Sequence, residues 1–100
     1  MNITYRVDKD ILYIALEGRI DASNAAAAGE RIFSIRDENK GKHVVIDADA
    51  LEYISSAGLR VILKAQKLMN AQGNMKLTNV NETVMEVFDI TGFVDILTIE

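Results

Sequence analysis

Polar and apolar residues alternate at the start of the chain, where Ile3, Tyr5 and Val7 are separated by Thr4, Arg6 and Asp8. This two-residue period predicts a strand with one dry face. After Asp8-Lys9-Asp10, the run from Ile11 to Leu16 is apolar at both parities, the pattern of a central strand covered on both sides. Gly18-Arg19-Ile20-Asp21 breaks that run. From Ala22 to Asn39 the spacing becomes helical, with Ala25, Ala28, Ile32 and Ile35 on one side and Asp21 or Ser23 available as N-cap. Gly41 suits the end of this helix, Val44-Val45-Ile46 predicts a short buried strand closing at Asp47, and Ala48 to Ser55 is expected to be a loop.

A second helix is expected from Ser56 to Gln72, with Val61, Ile62, Ala65, Leu68 and Met69 as its core stripe and Gly73 past its end. At about 100° per residue, Ser56, Leu59, Arg60, Leu63 and Lys67 fall on the other side. Met75 to Thr78 predicts a strand, Asn81 caps a helix through Thr91, Gly92-Phe93 supplies a stop and an apolar contact, and Asp95 to Ile99 predicts a last strand. The order β-β-α-β-α-β-α-β with right-handed crossovers predicts an α/β fold. It consists of a single mixed sheet of about five strands covered by three or four helices.

Composition narrows the chemistry. One hundred residues close one hydrophobic core, so residues 1–100 are expected to form a single domain. Fifteen acidic against eleven basic residues leave a net charge of −4, which disfavours nucleic acid as a partner. Without cysteine there are no disulfides, thiolate metal sites or cysteine nucleophiles, which fits a cytoplasmic address. The apolar run Ile11 to Leu16 falls far short of the ~20 residues of a membrane span, and the N-terminus lacks a basic-then-apolar signal pattern. No membrane association is expected.

Ligands and partners of such folds meet the loops at the carboxyl ends of the strands, here Gly18 to Asp21 and Asp47 to Gly58. The second loop ends in Ser55-Ser56 at the start of a helix, where a serine either caps the helix or offers a hydroxyl at the positive end of its dipole. Gly58 serves either close packing or the close approach of a partner. Leu59 and Leu63 are either covered by a neighbouring helix or form an exposed apolar patch beside the serine. Catalysis has little support. Ile54-Ser55-Ser56-Ala57-Gly58 lacks the first glycine of a nucleophile elbow, and the single histidine, His43, sits at the far end of its strand. Asp47, Asp49 and Glu52 either bind a hard cation or cap local N–H groups. No glycine-rich phosphate loop is present.

From Val44-Val45-Ile46-Asp47 through Leu51-Glu52-Tyr53-Ile54-Ser55-Ser56-Ala57-Gly58-Leu59-Arg60-Val61-Ile62-Leu63, the chain resembles the STAS family, whose small members are bacterial anti-sigma factor antagonists. Gly18-Arg19-Ile20-Asp21 is similar to that family's earlier Gly-x-Leu/Ile-Asp turn, and Phe88-Asp89-Ile90-Thr91-Gly92-Phe93 to its last helix end. The resemblance implies that Ser56, rather than Ser55, is the phosphoacceptor for a serine-kinase anti-sigma factor. It implies further that the unphosphorylated form captures the kinase and frees a sigma factor, until a serine phosphatase of the metal-dependent class resets the phosphorylated form. ATP and metals then belong to the partners, and the domain itself needs no cofactor. Where the family often has an acid before the acceptor, this chain has Ser55. The expected docking surface comprises Asp21, Ser55, Ser56, Gly58, Leu59, Arg60 and Leu63, with Asp47, Asp49 and Glu52 nearby, on a protein expected to act as a monomer. The alternative implied by the same resemblance is an unphosphorylated accessory subunit of a transporter or sensory complex.

Overall fold

Lys9 takes a left-handed φ of 56° and turns the chain between its first two strands, β1 (Asn2–Asp8) and β2 (Ile11–Ile20), which pair antiparallel. A computed structural model describes residues 1–72, 74–92 and 96–100. Helix α1 (Ala25–Glu38) leads to β3 (His43–Ile54), α2 (Ser56–Gln72) to β4 (Met75–Thr78), and α3 (Glu82–Thr91) follows. The sheet order is β1-β2-β3-β4, with β2–β3 and β3–β4 parallel, so the sheet is mixed as the element order requires. Leu12, Ile14 and Leu16 of β2 and Val44, Ile46 and Ala48 of β3 share one core cluster with Ile32 and Ile35 of α1, Ile62 of α2 and Phe88 of α3.

Both central strands are longer than the hydrophobic pattern indicates. The segment expected to be a loop, Ala48 to Ser55, continues β3 as far as Ile54 and pairs with Glu17–Ile20 of β2. Register shifts between Ala15 and Glu17 and between Gly18 and Arg19 interrupt the two-residue period, and Gly18 accommodates one of them with φ 89°. A bulge inserts an unpaired residue and moves the apolar side chains out of phase, which gives this stretch a loop-like sequence. Leu51 and Ile54 nevertheless return to the core. The expectation that Ile11 to Leu16 is covered on both sides is also corrected. Only Leu12, Ile14 and Leu16 are buried, whereas Ile11, Tyr13 and Ala15 are half-buried.

Helix α1 starts at Ala25 rather than Ala22, because residues 22–24 form a turn in which the Asp21 carbonyl accepts from the N–H groups of Asn24 and Ala25. The core stripe of α2 is rotated from the expected one. Leu59, Ile62, Leu63 and Gln66 face inward with Ala65 and Met69, while Leu68 is 38% exposed. Gln66 disguises the stripe, since its polar side chain occupies a core position. Its side-chain N–H donates to the Met75 carbonyl at 3.2 Å and its side-chain oxygen accepts from the Thr98 N–H at 3.4 Å, so both ends of the buried amide are partnered. Of the expected last strand, the described residues show one parallel bridge, Leu77 to Ile99, flanked by Leu77 N–H to Thr98 C=O and Glu100 N–H to Leu77 C=O. Gly73 as a helix stop, Phe93 as an apolar contact and Asp95 as a strand start lie outside the described residues.

Helix α3 is tied to β3 through Asn81. Its side-chain oxygen accepts from the Val84 N–H at 2.8 Å, and its amide donates to the Leu51 carbonyl at 2.7 Å. Asn81→Ala removes the cap and leaves that carbonyl without its partner, so it is expected to lower stability by about 1–2 kcal/mol in urea titrations. An unchanged midpoint would show that Asn81 carries neither role.

Candidate functional site

Strands β2 and β3 run parallel and end side by side at Ile20 and Ile54. The chain leaving β3 is caught at once by a hydrogen bond from the Ser55 N–H to the Ile20 carbonyl at 2.8 Å, which draws the two following turns together. Ser55 then caps α2. Its hydroxyl accepts from the Gly58 N–H at 3.2 Å, and its carbonyl accepts from the Leu59 N–H at 2.8 Å. Ser56 is the first residue of the helix, it is exposed, and its hydroxyl has no hydrogen bond among the described residues. The two serines therefore divide the roles left open by the sequence, one closing the helix end and the other facing solvent.

Gly58 is buried, and a Cβ there would stand 2.7 Å from Ile20 Cγ2 and 2.8 Å from Ile54 Cγ1. Of its two possible uses, the structure fills the first: α2 approaches the ends of β2 and β3 too closely for any side chain. Leu59 is 0% exposed and Leu63 7% exposed, so neither forms the apolar patch that would meet a partner. That expectation is corrected by the rotation of the α2 stripe around Gln66. Outward, α2 presents Ser56, Arg60, Lys64, Lys67 and Leu68, all exposed, and the face is mainly basic.

Across the seam, the turn after β2 is held by side chains. Asp21 accepts at Oδ1 from both the N–H and the hydroxyl of Ser23, while Asn24 accepts from the Asp21 N–H at 2.8 Å and donates to the Arg19 carbonyl at 3.0 Å. The Ser23 hydroxyl, followed by the Ser23 N–H and the Arg19 charge, holds the Asp21 carboxyl below the usual carboxylate range, so it is ionised at neutral pH. Arg19 lies over the Tyr53 ring at 4.6 Å, and the two residues are register partners on β2 and β3. Neither Arg19 nor Tyr53 stood out in the sequence, because only the shifted β2–β3 register brings them together.

The acids expected beside the serines do not gather there. Asp47 and Asp49 belong to β3, and from Asp47 an extended strand covers roughly 20 Å before reaching Ile54. Asp47 instead accepts from the Asp49 N–H and the Asn79 side chain, both at 3.0 Å. Glu52 is exposed nearer the end of β3. Among the described residues no group of three or more histidines or carboxylates could hold a metal ion, and no helix is long and apolar enough to cross a membrane. His43 lies at the opposite end of β3 from Ser55.

The chain is similar to known proteins. The family model described as STAS domain matches residues 2–100. BtrV, a candidate anti-sigma factor antagonist of Bordetella bronchiseptica, is 36% identical over 97 residues, spanning 96% of this chain and 83% of that protein. The anti-sigma-B factor antagonist of Bacillus subtilis is 28% identical over 100 residues, spanning 99% of this chain and 90% of its own length. Among solved structures, the anti-sigma factor antagonist SpoIIAA in its unphosphorylated form superposes with a TM-score of 0.75 at 19% identity, covering 99% of this chain and 88% of that one. The Bacillus cell fate determinant SpoIIAA in its phosphorylated form gives 0.67 at 18% identity, covering 99% and 91%.

Two substitutions separate the serines. Ser55→Ala is expected to cost about 1 kcal/mol through the lost cap, while Ser56→Ala changes stability by no more than a few tenths, as measured by denaturant midpoints. Equal costs would contradict the division of roles. Gly58→Ala forces Ile20 and Ile54 to move and is expected to destabilise by about 1–3 kcal/mol, and a thermal midpoint equal to that of the unmodified protein would refute the close approach.

Proposed function

Since the chain belongs to the STAS-domain family, we propose that it is an anti-sigma factor antagonist whose partner contact is switched by phosphorylation of Ser56. In the unphosphorylated state it captures a serine-kinase anti-sigma factor and so releases a sigma factor. The kinase transfers the γ-phosphoryl group of ATP to the Ser56 hydroxyl, which ends the capture, and a serine phosphatase of the metal-dependent class hydrolyses the phosphoester to restore it. The domain performs no chemistry of its own and supplies the acceptor.

The observation that carries this reading is the exposed hydroxyl of Ser56 beside a Ser55 already committed to the helix cap. An acceptor must enter a kinase active site, and it must gain charge without releasing a structural hydrogen bond. Ser56 meets both conditions. A phosphate there carries about −1.5 to −2 charges beside the positive end of the α2 dipole, so the fold tolerates it. Its effect falls on the contact surface, where Asp21, Ser56 and Arg60 lie at or near the solvent while Gly58, Leu59 and Leu63 support them from below. The outer face of α2 is basic through Arg60, Lys64 and Lys67, and a dianion on it cancels most of the positive charge that an acidic partner surface would meet. A change of about 3 kcal/mol corresponds to a more than hundredfold loss of affinity.

The test pairs the purified chain with kinase anti-sigma factors and ATP and locates phosphate by tandem mass spectrometry. Phosphate is expected on Ser56 in the unmodified chain and in Ser55→Ala, with none in Ser56→Ala. Phosphate on Ser55, or none on either serine with every kinase that binds the chain, would overturn the assignment.

A further inference from the structure

We propose that Arg60 is the positioning residue for the modified Ser56, pairing with the phosphate within the same helix and thereby leaving the partner-facing surface. The inference rests on Ser56 being the acceptor, as proposed above. Ser56 and Arg60 are four residues apart in α2, so they lie one turn apart on the same face, and both are exposed. Helical side chains lean toward the N-terminus, which carries the long arginine back over the first turn and toward position 56. An acidic group placed four residues before a basic one is the favourable order on a helix, and a guanidinium fork matches two phosphate oxygens at once.

Among the described residues, Arg60 is also the uncommitted cation at this end of the molecule. Arg19 lies over Tyr53 at 4.6 Å, and Lys64 is 5.5 Å from the Phe33 ring centre. Arg60 makes no hydrogen bond, ion pair or ring contact among the described residues. In the unmodified protein its guanidinium is free to meet an acidic group on a partner. After phosphorylation it has a dianion one helical turn away. One modification then makes two changes to the docking face: it adds negative charge at Ser56 and withdraws the positive charge of Arg60.

The test is a phosphorus NMR titration of the chain carrying phosphoserine installed at position 56 during translation, so no kinase takes part. A neighbouring cation favours the dianion, and the second phosphate pKa is expected to lie below its ordinary value of about 6. Arg60→Gln is expected to raise it by about half a unit and Arg60→Lys by less, with the difference shrinking in ~1 M salt. The other charges at this end, Arg19, Asp21, Glu52 and Lys64, are common to all these proteins. Identical titrations for the phosphoserine-56 chain with Arg60 in place and for its Arg60→Gln variant would overturn the proposal, as would a rise in the Arg19→Gln variant alone. Failure of kinases to modify Ser56 would instead sink the functional reading, and the two failures are read in separate experiments.

Discussion

The hydrogen bond from the Ser55 N–H to the Ile20 carbonyl, 2.8 Å long, holds this end of the molecule together. It ties the exit of β3 to the end of β2 at the point where α2 begins. Because the bond fixes Ser55, the Ser55 hydroxyl is placed to cap α2, and because the cap is filled, Ser56 is released to solvent. The same junction brings the α2 backbone against Ile20 and Ile54 so tightly that only glycine fits at position 58. Both turns at the site are therefore anchored on two strands of the sheet, and the exposed hydroxyl stands on a rigid base.

Much of this was legible in the chain. The strand-helix alternation, the Asn81 cap and the Gly92 stop follow local rules of periodicity and backbone conformation, and the structure shows each of them. The long pairing of β2 with β3 did not, because two register shifts erase its alternation and the resulting Ala48–Ile54 stretch resembles a loop. The inward face of α2 was concealed for a different reason. Gln66 occupies a core position and is satisfied by backbone groups of Met75 and Thr98, which are remote in sequence, so a hydropathy pattern assigns it to the surface and turns the helix the wrong way. That rotation is why Leu59 and Leu63, plausible as a contact patch, are core residues. Ser56 and Arg60 keep their outward placement under either rotation.

The correction changes the character of the surface. With Leu59 and Leu63 buried, the first turns of α2 offer a hydroxyl, a guanidinium and an ammonium group, and exposed apolar area on this face comes only further along, at Leu68 among the described residues. Recognition through such a face depends on charge complementarity, which is sensitive to a single added phosphate and to salt. Under the proposed function, the contact would change with no movement in the core. The proposed switch would combine a scaffold indifferent to the modification with a surface that responds to it.

Charge added at Ser56 is expected to leave the seam beneath it intact. Amide hydrogen exchange at Ser55, followed by NMR in the unmodified chain and in the chain phosphorylated at Ser56, tests it most directly. The same protection is expected in both forms, with the Ser55 N–H still bonded to the Ile20 carbonyl. Loss of that protection on phosphorylation would contradict this and mean that the switch works by opening the fold.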